Sequence, residues 1–74
     1  MKWNKFSEQK PIAHAVCLCK RLFYGEYEEY LIAYYDPSNP ELPWASFGCY
    51  TDRYSGADLE FWIDVREIEK AVEA

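Results

Sequence analysis

Apolar and polar positions alternate in short runs along most of this chain, and the clearest helical spacing is at its C-terminal end. Residues 12–24, IAHAVCLCKRLFY, place Ile12, Val16, Leu18 and Leu22 on one parity. Alternation of that kind predicts a long strand with this face toward a core. Gly25-Glu26 then offers a tight turn, because glycine tolerates positive φ. Residues 27–36, YEEYLIAYYD, read as the returning strand of a hairpin. Tyr30, Ile32 and Tyr34 share one face, and Leu31, Ala33 and Tyr35 share the other. A helix competes there, since Tyr27, Tyr30, Leu31 and Tyr34 also fit helical spacing. The flanking turn signals and the aromatic enrichment favour the strand.

Three of the four prolines fall in DPSNPELP, residues 36–43, which must be a loop. WASFGCY, residues 44–50, predicts a third strand in which Gly48 marks a bulge or a close approach. Residues 51–58, TDRYSGAD, read as a second loop, and LEFWI, residues 59–63, as a short fourth strand. Asp64 with Glu67 three residues on is an N-cap with a capping-box acid. It opens a helix over 64–74 whose apolar stripe is Val65, Ile68 and Val72, with Ala71 beside it. A helix so short is marginal alone and is expected to dock on the sheet. Residues 1–11 are polar and end at Pro11, with Trp3 and Phe6 as anchors folding back on the core. The expected fold is a single α+β domain over residues 1–74. It consists of a small antiparallel sheet of three to four strands with a C-terminal helix packed on it.

Composition changes the picture in one respect. A chain of 74 residues, 50% apolar and 28% charged, is globular in character but buries only about 60–65% of its unfolded surface. It carries four Phe, seven Tyr and three Trp. A core this small cannot hide so many rings, so several are expected at the surface, where Tyr and Trp serve binding. Tyr is also a good strand residue with its hydroxyl in water, and that reading stands beside the other. Net charge is −5, unevenly placed: residues 1–25 carry +4 and residues 26–74 carry −9. An acidic balance argues against wrapping nucleic acid, which needs a basic footprint. It suits a basic partner, or solubility alone.

Cys17, Cys19 and Cys49 are an odd number of thiols and form no disulfide framework. The opening MKWNKFSEQKP has no apolar run of the kind a secretory signal carries. The apolar stretches are too short to span a bilayer. Together these predict a reduced, cytoplasmic protein with no membrane association. His14, Cys17, Cys19 and Cys49 offer four candidate zinc ligands. On a strand, however, Cys17 and Cys19 project from one face and His14 from the other, so they do not converge on a tetrahedral site. Buried thiols packing like small apolar side chains are the expectation, with no metal and no cofactor. His14 is the only histidine. Tyr54-Ser55-Gly56 lacks the flanking glycines of a nucleophile elbow, and Gly25, Gly48 and Gly56 are too scattered for a phosphate loop. Asp52, Asp58 and Glu60 offer acid–base chemistry only in principle. No enzyme is expected.

Trp3, Pro11 and the strand through Val16 and Leu18 match the opening pattern of a family of small phage and prophage proteins, the domain-of-unknown-function family numbered 551. Ile32-Ala33-Tyr34-Tyr35-Asp36 resembles that family's mid-chain strand. Phe61-Trp62-Ile63-Asp64-Val65 resembles its closing segment, with Phe61 in place of the usual His. The family runs on into prolines where this chain runs into a capped helix. The resemblance covers most of residues 3–65 at few and mostly apolar positions. It implies a mobile-element origin and a strand-rich fold, and it carries no catalytic residue.

The acidic–aromatic combination is the most informative feature. Glu26, Glu28 and Glu29 cluster at the hairpin end beside Tyr24, Tyr27 and Tyr30. Asp52, Asp58, Glu60 and Asp64 follow the third strand beside Tyr50, Tyr54 and Trp62. Carboxylates on a rigid sheet compete for a surface that normally holds phosphates, and aromatics supply desolvated anchors. The expected partner-binding residues are Glu26, Tyr27, Glu28, Glu29, Tyr30, Asp52, Tyr54, Asp58 and Glu60. With the phage-like resemblance, they lead to an inhibitor of a bacterial host defence protein, such as a CRISPR effector, blocked at its basic nucleic-acid site. A sponge for a nucleotide signal is a second reading, with Arg21, Arg53, Trp44 and Tyr50 as its pocket. A structural accessory protein that forms a homodimer through an exposed sheet edge is a third.

Overall fold

The computed structural model describes residues 2–23, 27–46 and 52–73, with the backbone alone for Leu22, Phe23, Tyr27 and Glu73. The elements, in chain order, are β1 (Asn4–Lys5), β2 (Val16–Phe23), β3 (Tyr27–Tyr35), β4 (Trp44–Ser46), β5 (Arg53–Tyr54), β6 (Phe61–Asp64) and α1 (Val65–Glu73). Among the described residues, six strands join one antiparallel sheet in the order β1-β6-β2-β3-β4-β5. The α+β class therefore stands, while the sheet of three to four strands becomes six. The two additions, β1 and β5, are two residues long and lie at the sheet edges. Edge strands so short leave little unpaired backbone to template another chain.

The β2–β3 hairpin is the spine of the sheet, paired from Val16–Tyr34 to Phe23–Tyr27. YEEYLIAYY is thus a strand. The strand expected over 12–24 begins only at Val16. Ile12 and Ala15 close a turn, with Ala15 N donating to Ile12 O, and His14 adopts φ 65°. That left-handed backbone cannot continue an extended chain, and histidine is among the side chains that tolerate it. The third strand, expected over 44–50, is seen at Trp44–Ser46, and its continuation with Gly48 and Cys49 lies outside the described residues. The loop expected over 51–58 contains β5. The strand expected over 59–63 is β6, which begins two residues later, ends one later and sits between β1 and β2.

The core lies on the face carrying Cys17, Cys19 and Ala33, all fully buried. This corrects the facing expected for β2: Val16 and Leu18, on the opposite parity, are only half-buried. Cys17 and Cys19 fill the centre of the sheet as small apolar groups, beneath Trp62, Trp44 and Leu59. The sheet curls about this face. Phe6, directly after edge strand β1, packs 5.5 Å from Trp44 of β4 and 5.7 Å from Tyr35 of β3, between ring centroids. Its N–H donates to Glu60 O at 2.7 Å, extending the pairing of β1 with β6. Phe6 is therefore the core anchor expected of it. Trp3 is instead half-buried against the opposite face, beside Lys20 and Tyr30.

The proline-rich loop is fixed by Asp36. Its carboxylate accepts from Ser38 N at 3.0 Å and pairs with Arg53 of β5 at 2.9 Å. Arg53 Nε also donates to Leu42 O at 3.1 Å, tying the loop to β5. At the other end Asp64 caps α1, accepting from Arg66 N at 2.8 Å. The helix meets β6 and β2, and its Val65 and Ile68 are half-buried. Its last turn departs from the expected docking: Val72 is 80% exposed.

Candidate functional site

The outer face of the hairpin carries Tyr30, the one exposed aromatic side chain among the described residues, with the half-buried Trp3 and Phe61 beside it. Phe61, Lys20 and Tyr30 stand in register across β6, β2 and β3. Trp3 leans over this row, 6.1 Å from Tyr30 between centroids. The Lys20 ammonium lies 4.9 Å from the Trp3 ring and 4.7 Å from the Phe61 ring. Such cation–π contacts hold a lysine whose side chain is only 16% exposed. Its nitrogen is also 3.9 Å from Glu28. Tyr30 donates its hydroxyl to Glu28, and that bond to a carboxylate holds the phenol above its ordinary pKa.

Tyr30 and Ile32 are 54% and 41% exposed, so this row is an accessible surface. Its Tyr30 end borders an arm: Arg21–Phe23 and Tyr27–Tyr30 pair with each other and with no further strand among the described residues. Glu29 is exposed on the other face of the arm, across from Arg21. The Arg21 guanidinium lies 5.6 Å from the Tyr54 ring.

The nine expected partner-binding residues thus divide. Glu28 and Tyr30 meet directly, and Glu29 adjoins them in β3. Glu26 and the side chain of Tyr27 lie outside the described residues. Asp52 and Asp58 are exposed in the segments flanking β5. The Asp52 carbonyl accepts from Ser46 N, and Asp58 N donates to the Ser55 hydroxyl. Tyr54 packs against the core. The Glu60 carboxylate accepts from the Ser7 hydroxyl at 2.6 Å. Trp3, Lys20, Ile32 and Phe61 belong to the surface although the sequence did not single them out for it. The surplus of rings was their one signal, because the register that joins them is invisible in the chain.

Chemistry of other kinds finds less support. Trp44 is fully buried and offers no ring face to a base, and Arg53 is committed to Asp36 and Leu42. The nucleotide pocket expected from Arg21, Arg53, Trp44 and Tyr50 is therefore not open at those two residues, and Tyr50 lies outside the described residues. Among the described residues no three His, Cys, Asp or Glu side chains converge as a metal site. His14 is exposed in its turn rather than mid-strand. Burial, with Asp64 adding to it, pushes the Cys17 thiol up to about 12, and burial pushes Cys19 higher still. Neither supplies a thiolate at neutral pH. No helix among the described residues is long and apolar enough to cross a membrane. No family model, no curated protein and no solved structure matches the chain.

Proposed function

We propose that this domain is a protein-binding module that docks a basic partner on the outer face of its β2–β3 hairpin. The observation that carries the reading is the exposed pair Tyr30 and Ile32 beside Trp3 and Phe61, with the exposed Glu28 on the same face. Rings held by cross-strand pairing lose little entropy on binding and supply contact area. The Glu28 carboxylate confers preference for a cationic partner and speeds its approach. Lys20 tempers Glu28 in the free protein, so a partner's guanidinium groups would compete with it for that carboxylate.

Joined to the phage-like resemblance, this surface leads us to propose an inhibitor of a bacterial defence protein, such as a CRISPR effector, acting at a site that ordinarily holds nucleic-acid phosphates. No catalytic step is assigned to it. The reading is tested by biolayer interferometry against a panel of such proteins, with nucleic acid as competitor. Binding is expected to be salt-sensitive and displaced by nucleic acid. Tyr30→Ala or Glu28→Lys should weaken it by about tenfold or more. Binding that ignores both substitutions would reject the hairpin face, and binding that nucleic acid leaves untouched would reject the competitive mode.

A further inference from the structure

Away from the hairpin arm the charge pattern reverses. An open groove of about 690 Å³ runs between the N-terminal segment, the loop that follows β1, and α1, with β6 as its floor. Its volume is in the range of ligand clefts. Lys2, Lys10, Arg66 and Lys70 line it, against Asp64 and Glu67. In a chain of net charge −5 this is a local excess of positive charge.

Asp64 is the more fully occupied of the two acids. Asp64 caps the helix and accepts from the Arg66 guanidinium at 2.9 Å. Glu67 stands 3.6 Å from Lys70, and both side chains are well exposed, so water screens that pair strongly. Lys10 donates to Phe6 O, which leaves its remaining protons for another acceptor. Lys2 makes no ion pair among the described residues. Three ammonium groups from two separate walls therefore face one opening.

The apolar part of the lining narrows the ligand class. Trp62 is only 5% exposed and its indole N–H donates to Gln9 O, so it presents no free ring on which a base would stack. Ile12, 67% exposed, and Ala71 offer aliphatic contact instead. An ion-pairing wall joined to an aliphatic ledge fits carboxylates alternating with branched side chains better than it fits a nucleotide.

We propose that this groove binds a short acidic peptide segment of a partner protein, its carboxylates on Lys2, Lys10 and Lys70 and an aliphatic side chain against Ile12 and Ala71. The site uses none of the residues assigned to the hairpin surface, so the molecule carries two docking faces of opposite charge. It is thus suited to contacting both a basic and an acidic element of a partner.

Fluorescence anisotropy of the full chain with a fluorescein-labelled peptide of alternating glutamate and leucine, at low ionic strength, tests this. Saturable binding is expected, weakened about tenfold or more by Lys2→Glu with Lys70→Glu. Ile12→Ser, or a peptide with serine for leucine, should weaken it severalfold. If the charge reversal disturbs folding by circular dichroism, Lys2→Gln with Lys70→Gln carries the same test, because both side chains are exposed. Absence of saturable binding, or equal affinity for the substituted proteins, overturns the proposal. Inorganic phosphate or ATP displacing the peptide at concentrations equal to the peptide's own overturns the peptide assignment in favour of a small anion. Unchanged hairpin-partner binding by the Lys2 and Lys70 variants is expected, which separates this site from the first.

Discussion

The ring of Phe6 occupies the space in which a side chain at Gly56 would stand. A Cβ there would fall 2.3 Å from Phe6 Cδ2 and 2.4 Å from Cε2. The ring cannot retreat, since Tyr35 and Trp44 pack against it and only 9% of the residue is exposed. This contact brings the turn after β5 onto the residue after β1, joining the two ends of the curled sheet. Gly56→Ala is expected to destabilise the fold by about 1–3 kcal/mol through overpacking. For a domain of this size each kcal/mol lowers Tm by about 4–8 °C. Combining it with Phe6→Leu should cost less than the sum of the two changes. Strictly additive melting data would break the proposed link.

Asp36 predicts a specific acid sensitivity. The Ser38 hydroxyl first, and then Arg53, hold its carboxyl down from 3.8 to about 2. A carboxyl depressed in the folded state stabilises at pH values above its unfolded pKa, and that contribution disappears as pH falls from about 4 through about 2. Asp36→Asn should therefore flatten the acid limb of the stability curve in that window while lowering stability at neutral pH. Urea midpoints measured across pH decide it. An unaltered acid limb in the variant would mean that other carboxyls govern acid unfolding.

The parts of this fold with a long period were readable in the chain. The hairpin and the capped helix each repeat a pattern over eight or nine residues, and both are present. β1 and β5 were not readable, because two residues such as Asn4-Lys5 or Arg53-Tyr54 have no period. The inverted facing of β2 has a different cause. Val16 and Leu18 outrank Cys17 and Cys19 in hydrophobicity, yet the crowded core under Trp44 and Trp62 takes the smaller side chains. The candidate site was half legible. Glu28 and Tyr30 stand close in sequence, whereas Lys20, Phe61 and Trp3 reach them only through strand register.

The buried thiols make a chemical prediction. In a Cys49→Ser background, Cys17 and Cys19 should resist a thiol-exchange reagent at neutral pH and react fully once guanidinium unfolds the chain. Cys17 also sets an alkaline limit. Its pKa rises from 9.0 to about 12 on folding, so its contribution to stability is intact below pH 9 and fades as pH climbs toward 12. Cys17→Ala should lessen that alkaline loss, measured as midpoint against pH. Fast labelling of either thiol in the native protein would contradict the core placement.

Asp64 joins the sheet to the helix, and its two roles can be separated. As the last residue of β6 it pairs with Cys17, and as N-cap its carboxylate accepts from Arg66 N. Removing the acceptor in Asp64→Ala should cost about 1 kcal/mol, while Asp64→Asn keeps an acceptor and should cost less. Charge adds a smaller effect: hydrogen bonds from the Arg66 side chain hold the Asp64 carboxyl below its ordinary value. The stability this provides is present above the ordinary carboxylate pKa and declines below it. The gap between the Ala and Asn variants should therefore persist at low pH, where the gap between Asn and wild type closes. Because Val65 and Ile68 of α1 are only half-buried and Val72 is left in water, loss of the cap should be felt first as faster amide exchange along the helix. Equal exchange rates in α1 of Asp64→Ala and wild type would show that packing of Val65 and Ile68, rather than the cap, holds the helix in place.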